Sequence, residues 1–281
     1  LDCSGHTGGF LFPPSSQLTS DIAVSVQSLS SESDPNATPS SPPIVLSIAG
    51  YDPSAGAGVL ADLKTFAATG VYGMACITAL TVQSTQGVRQ VYGVDPGIVI
   101  ETLDCLAEDA CFSSIKIGML GSVSVARAVV DWLRRRRRVP VVLDPILKSS
   151  SGKDLLDVEG LSVLQQEWLA CADWITPNLA ELAALTGSHI TATPAETEDA
   201  AHRLQQMAMR QGNTGLKVVV TGGHADAPND LLLIGNAYLW YPGERIQTTS
   251  THGTGCAFSS ALAARIALGD EAGAAVQGAK E

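Results

Sequence analysis

Thr251-His252-Gly253-Thr254-Gly255-Cys256 runs directly into Ala257-Phe258-Ser259-Ser260-Ala261-Leu262-Ala263-Ala264, a small-residue stretch with helical character. A helix starting there aims its unpaired N–H groups and the positive end of its dipole at whatever lies in front. Gly253 and Gly255 let the main chain approach a ligand closely. The chemistry this suits is anion binding, phosphate above all. Cys256 falls in the first turn, where the dipole is expected to lower the thiol pKa and favour thiolate. A glycine loop before a packed alanine-rich helix would read the same way, so both readings stay open on this stretch alone.

Two further stretches carry carboxylates. Asp144-Pro145 closes the apolar run Val141-Val142-Leu143, so Asp144 is either a metal or phosphate-water ligand or a cap for the next loop. Thr176-Pro177-Asn178-Leu179-Ala180-Glu181 opens a helix, with Asn178 and Glu181 three apart on one face. That spacing makes a capping box. It also sets an amide and a carboxylate to arrange water around Mg²⁺, which keeps several waters and takes few direct protein ligands.

The elements that must position these groups alternate along the chain. Strands are expected at 44–50, 74–82, 114–118, 139–144, 173–176 and 217–221. Helices are expected at 59–69, 98–110, 123–137, 158–170, 179–185 and 197–211, and a short hairpin pairs 231–234 with 237–240 across Gly235-Asn236. This order predicts an α/β fold, a three-layer sandwich with a mostly parallel central sheet and helices on both faces. Ligands of such sheets gather at the carboxyl ends of strands. Gln83, Met119, Asp144, Asn178, Gly222 and the 252–256 loop all fall there.

Composition narrows the function. The chain has 281 residues, 45% apolar and 16% charged, with a net charge of −11. Nothing in that balance attracts nucleic acid, and no apolar run is long enough to span a bilayer. The partner expected is a small molecule, its negative charge met locally by backbone N–H groups and a metal. Six cysteines, at 3, 76, 105, 111, 171 and 256, follow neither zinc spacing nor a disulfide framework and read as reduced cytoplasmic thiols. Residues 1–42, rich in Ser and Pro, read as a disordered tail, and 43–281 as the folded domain. The triplet Asn36-Ala37-Thr38 has no secretory signal to support glycosylation, and Arg134 to Arg138 reads as an exposed helix end. Gly56-x-Gly58 lacks the third glycine of a dinucleotide fingerprint, which disfavours a nicotinamide enzyme. The helical pattern still running at Glu281 suggests a longer parent chain.

Seven ordered blocks carry a family resemblance: Ala49 to Thr65 (AGYDPSAGAGVLADLKT), Ile77 to Thr85 (ITALTVQST), Lys116 to Leu120, Leu143 to Ile146, Thr176 to Glu181, Thr221 to His224 and Thr251 to Cys256. Region 44–281 resembles the ribokinase-like superfamily, and within it the hydroxymethylpyrimidine and phosphomethylpyrimidine kinases of thiamine biosynthesis. The resemblance implies ATP- and Mg²⁺-dependent phosphorylation of a pyrimidine hydroxymethyl group, and then of its monophosphate. It implies that Gln83 hydrogen-bonds the aminopyrimidine and that Ala57, Asp62, Thr81, Met119 and Ile146 line its pocket. Asp144, Asn178 and Glu181 match the magnesium and phosphate-water network, with Asp144 and Glu181 acting on the metal through water. Thr221 and Gly223 match the ATP-phosphate loop, Gly253, Thr254 and Gly255 the anion hole, and Cys256 the position where many relatives carry a catalytic Asp. Thr221 stands where this branch commonly has Lys, which removes a point charge near the phosphates. The resemblance also implies a homodimer and allows a fused thiamine-pathway domain beyond residue 281. Two alternatives are a pyridoxal-type vitamin kinase of the same fold and a pyrimidine-binding sensor without turnover.

Overall fold

A computed structural model of the chain describes residues 41–136, 139–148, 158–191, 193–223, 228–245 and 252–281. Residues 1–40 of the expected tail, with the Asn36-Ala37-Thr38 triplet, and Arg137, Arg138, His224 and Thr251 lie outside the described residues.

Among the described residues nine strands form one sheet: β1 (Ile44–Tyr51), β2 (Tyr72–Ser84), β3 (Gly87–Gly93), β4 (Ser114–Ile117), β5 (Val141–Leu143), β6 (Trp174–Ile175), β7 (Lys217–Val220), β8 (Asp230–Ile234) and β9 (Ala237–Tyr241). Their spatial order is β3-β2-β1-β4-β5-β6-β7-β8-β9. The six strands from β2 to β7 in that order run parallel, while β3 pairs antiparallel with β2 at one end and β8 pairs antiparallel with both β7 and β9 at the other.

Helices cover both faces because the strands are apolar on both. Leu46 and Ile48 of β1, Val141 and Leu143 of β5 and Val218 and Val220 of β7 pack into one core. Their neighbours Val45, Val142 and Val219 pack into another. Successive side chains on a strand point to opposite faces, so one continuous apolar run feeds both layers. Helices α1 (Gly58–Thr69), α7 (Thr254–Ala267) and α8 (Ala272–Lys280) bury Phe66, Leu262 and Val276 in the second core. Helices α2 (Pro96–Asp109), α3 (Val123–Arg136), α4 (Val158–Val163), α5 (Leu179–Thr186) and α6 (Pro194–Arg210) cover the first. The three-layer α/β sandwich expected from the sequence is the observed fold.

Departures from expectation have local causes. Helix α6 begins at Pro194, three residues early, because Thr193 accepts a hydrogen bond from the Glu196 N–H and Pro194 fits the first turn. The helix expected over 158–170 stays α-helical only to Val163 and continues as a π-helical turn over Leu164–Trp168. Strand β3 was not expected, since its Gly, Arg and Gln residues break the apolar alternation. It exists because β2 outruns β1: the last β1 partner is Leu80, and Thr81 to Ser84 pair with β3 alone. This overhang carries Thr81 and Gln83 over the ends of the parallel strands.

Candidate active site

The parallel strands end along one edge, and the loops after β1, β4, β5, β6 and β7 open there into a cavity of about 1470 Å³. Ala57, Thr81, Gln83, Met119, Ile146, Asp144, Asn178, Glu181, Thr221, Gly223, Gly253, Thr254, Gly255 and Cys256 all line it. Asp62 does not. It is fully buried beneath the wall, where Lys116 Nζ lies 2.9 and 3.0 Å from its two carboxylate oxygens. Ser47 Oγ donates to Oδ2 at 2.6 Å and Ser260 Oγ to Oδ1 at 2.7 Å. Both oxygens are thus fully engaged, which corrects the expectation that Asp62 contacts substrate. Its partner Lys116 reaches the cavity wall and was missed, because nothing in Lys-Ile-Gly reveals that a strand lysine points inward.

The anion loop has the form that the sequence suggests, for a partly different reason. Gly253 adopts φ +79° as the cap of α7, and a Cβ there would lie 1.8 Å from the Gly56 carbonyl oxygen. Glycine is therefore required for contact between two loops as well as for backbone conformation. A Cβ on Gly255 would meet nothing within 4 Å. Among the described residues no side-chain cap closes the start of α7, and its first turn, with the positive end of the helix dipole, faces the cavity.

Cys256 departs from its expected chemistry. Its thiol is pushed up to about 12, chiefly by burial; the Lys116 cation opposes the rise, while Asp144 and Asp62 add to it. The helix dipole does not overcome desolvation beside two carboxylates. At neutral pH Cys256 is a thiol, contrary to the thiolate expected from its place in the helix.

Asp144 sits at the end of β5, where Ser259 Oγ of α7 donates to it at 2.9 Å. Burial raises its pKa, and the nearby Lys116 cation works against the rise. Glu181 is pushed up to about 8, first by burial and then by the Asp144 charge; N–H groups of Asn178 and Leu147 oppose the shift. The capping box is fully formed: Asn178 Oδ1 accepts from the Glu181 N–H and Glu181 Oε2 accepts from the Asn178 N–H, both at 2.9 Å. The cap and the cavity role therefore coexist, since capping uses one carboxylate oxygen. A half-buried carboxylate whose pKa is raised by the charge of a buried one beside it fits a divalent cation, which would offset that repulsion. Among the described residues no cluster of three or more acidic, His or Cys side chains could enclose a metal, so such an ion would keep water or ligand oxygens.

Residues Tyr51 to Gly58 form the facing loop. Asp52 Oδ1 accepts from the N–H and Oγ of Ser54, while Oδ2 accepts from the Ala57 N–H. His252 Nε2 lies 2.9 Å from Asp52 Oδ2 and 3.1 Å from Gln83 Nε2. Thr81 Oγ1 lies 2.9 Å from the Tyr51 carbonyl oxygen and 3.1 Å from Gln83 Oε1. Asp52 and His252 stand within recognisable motifs, but their pairing across 200 positions is not legible there. The far cavity wall includes Lys280 of α8, whose Nζ lies 2.6 Å from Asp230 Oδ2.

A mostly parallel sheet sandwiched by helices, with a helix-start anion loop facing carboxylates at the strand ends, defines a ribokinase-like kinase. Within that class, the family described as phosphomethylpyrimidine kinase matches residues 52–281, and the chain belongs to it. It is 41% identical over 239 residues to the hydroxymethylpyrimidine/phosphomethylpyrimidine kinase of Rhizobium meliloti, covering 84% of this chain and 87% of that one. It is also 41% identical over 230 residues to the thiamine biosynthesis multifunctional protein of Corynebacterium efficiens, covering 81% of this chain but only 30% of that relative. The crystal structure of phosphomethylpyrimidine kinase from Clostridium difficile 630 superposes with a TM-score of 0.74 at 34% identity, over 85% of this chain and 96% of that one. The pyridoxal kinase of Staphylococcus aureus in complex with pyridoxal does so with a TM-score of 0.76 at 27% identity, over 86% of each chain.

Proposed function

We propose that the chain transfers the γ-phosphoryl group of ATP to the hydroxymethyl oxygen of 4-amino-5-hydroxymethyl-2-methylpyrimidine, and then phosphorylates the resulting monophosphate. The observation that carries this reading is the arrangement of the cavity. The start of α7, the buried Asp144, the half-buried Glu181 and the Gln83 amide face the same space. An amide offers one donor and one acceptor side by side, which matches a ring amine next to a ring nitrogen.

In the transfer, the acceptor oxygen bonds to the γ-phosphorus as the bridging P–O bond breaks and ADP departs. The N–H groups over Gly253, Thr254 and Gly255 stabilise the charge on the moving phosphoryl oxygens. Cys256, protonated and buried, orients the acceptor hydroxyl through Sγ instead of removing its proton. That proton is lost late, onto the new phosphate. Asp144 and Glu181 would hold Mg²⁺ through water, and the bound ion would supply charge neutralisation on the phosphates. Thr221 and Gly223 contribute the neighbouring loop. With Thr221 in place of lysine, the lysines in the wall among the described residues are Lys116, Lys148 and Lys280.

A homodimer fits the apolar side chains exposed at the ends of the sheet, Tyr72, Leu80, Val82 and Tyr92 on β2 and β3 and Leu239 on β9. Sedimentation analysis tests it.

Phosphorus NMR of reactions with ATP, Mg²⁺ and either the pyrimidine or pyridoxal tests the assignment. The expected products are the pyrimidine mono- and diphosphate. Preferential phosphorylation of pyridoxal would transfer the assignment to that vitamin, and ligand binding without product would make the chain a sensor.

A further inference from the structure

One imidazole nitrogen, His252 Nε2, faces two partners: Asp52 Oδ2 at 2.9 Å and Gln83 Nε2 at 3.1 Å. The three residues come from separate places: the loop after β1, the overhang of β2 and the loop before α7. Asp52 is buried, and although burial alone pushes its pKa up, hydrogen bonds from His252, Ser54 and the Ala57 N–H hold it below the usual carboxylate value. A carboxylate accepts only, so the facing Nε2 carries a hydrogen.

That hydrogen cannot coexist with an amide –NH₂ pointed at the same nitrogen. Two donors would meet at 3.1 Å with no acceptor between them. The oxygen and nitrogen of a glutamine amide have the same shape, and their placement is decided by the hydrogen bonds they make. Rotating the Gln83 amide by half a turn removes the conflict. Its Oε1 then accepts from His252 Nε2–H, which it shares with Asp52. Its –NH₂ donates to Thr81 Oγ1, whose own hydrogen goes to the Tyr51 carbonyl oxygen 2.9 Å away. Each contact from Asp52 to the Tyr51 carbonyl then pairs a donor with an acceptor.

We infer that His252 is a positioning residue for acceptor recognition, fixing the Gln83 amide with Oε1 on the His252 side and –NH₂ on the Thr81 side. The second lone pair of Oε1 takes the ring amine, and the second amide hydrogen goes to the adjacent ring nitrogen. The acceptor ring is thereby oriented with its amine toward His252 and its ring nitrogen toward Thr81. This extends the pyrimidine reading and rests on it. Gly56 belongs to the same device: a Cβ there would lie 2.5 Å from His252 Cδ2, so any larger residue displaces the imidazole.

Two measurements on the full chain test this. Ring ¹H–¹⁵N correlation spectra, with His252 assigned by its loss in His252→Gln, are expected to show a protonated Nε2; an unprotonated Nε2 overturns the network. Steady-state kinetics then compare the aminopyrimidine with its analogue lacking the amine. In His252→Ala the KM for the aminopyrimidine is expected to rise about tenfold with kcat changed less than about threefold, while the KM for the analogue barely moves. His252→Gln, which returns an N–H to that position, should restore most of the loss. Equal KM increases for both acceptors, or a fall in kcat alone, would reduce His252 to a structural support and refute the inference. If the wild-type chain phosphorylates neither pyrimidine, the substrate assignment fails instead, and the ring tautomer still decides the network.

Discussion

Replacing Glu181 by Gln separates what the site needs for folding from what it needs for chemistry. Glutamine keeps the oxygen that accepts the Asn178 N–H at 2.9 Å, so the capping box survives. Only the charge is lost. The carboxyl is raised from its ordinary 4.5 to about 8, mainly by burial and next by the Asp144 charge. The folded state therefore binds a proton more tightly than the unfolded chain, and stability falls as pH rises from about 4.5 toward 8. At about 1.4 kcal/mol for each pH unit, the penalty approaches roughly 4 kcal/mol at the alkaline end. A neutral amide removes that penalty but keeps the cost of burying its own polar group, so the substitution should recover about 2 kcal/mol. Urea denaturation without nucleotide or Mg²⁺ is the assay. Wild type and Glu181→Gln should unfold alike near pH 5, while near pH 8 the variant is more stable by about 2 kcal/mol and its kcat is lower by about a hundredfold. A variant less stable than wild type near pH 8, or a gain independent of pH, would refute the reasoning.

Three other outcomes are expected. Lys116→Met strands the Asp62 carboxylate in a fully buried site and should cost about 3–5 kcal/mol, of which adding Asp62→Asn recovers at least about half; equal stability of the single and double variants by denaturation would contradict the ion-pair account. During alkylation near pH 8 followed by mass spectrometry, exposed Cys105 and Cys111 should react well before Cys256, whose thiol sits at about 12. Equal labelling rates would restore a reactive thiolate. Gly253→Ala places a Cβ against the Gly56 carbonyl at positive φ, so kcat/KM should fall by about a hundredfold or more as the anion loop is displaced. Wild-type kinetics would show that the two loops need not touch.

The layer architecture is legible in the sequence because the signals are local. Val141-Val142-Leu143 and Lys217 to Val220 are short apolar runs between helical stretches, and such runs become strands buried on both sides. The Thr193-Pro194 start of α6 was equally local and simply goes unread. Strand β3 is different: Gly87 to Gly93 has no persuasive period of its own, and it pairs only because β2 overruns its parallel neighbour.

The same division runs through the site. By itself the sequence determines the glycine loop at the start of α7, the Asn178–Glu181 cap, and carboxylates and amides at strand ends. Each follows from spacing within a few residues. Tertiary structure alone decides that Asp62 turns away from the cavity to Lys116, that Cys256 stays a thiol, and that His252 meets Asp52 and Gln83. Hydrogen-bond propensity and periodicity act along the chain, whereas desolvation and the field of neighbouring charges depend on what distant segments pack alongside.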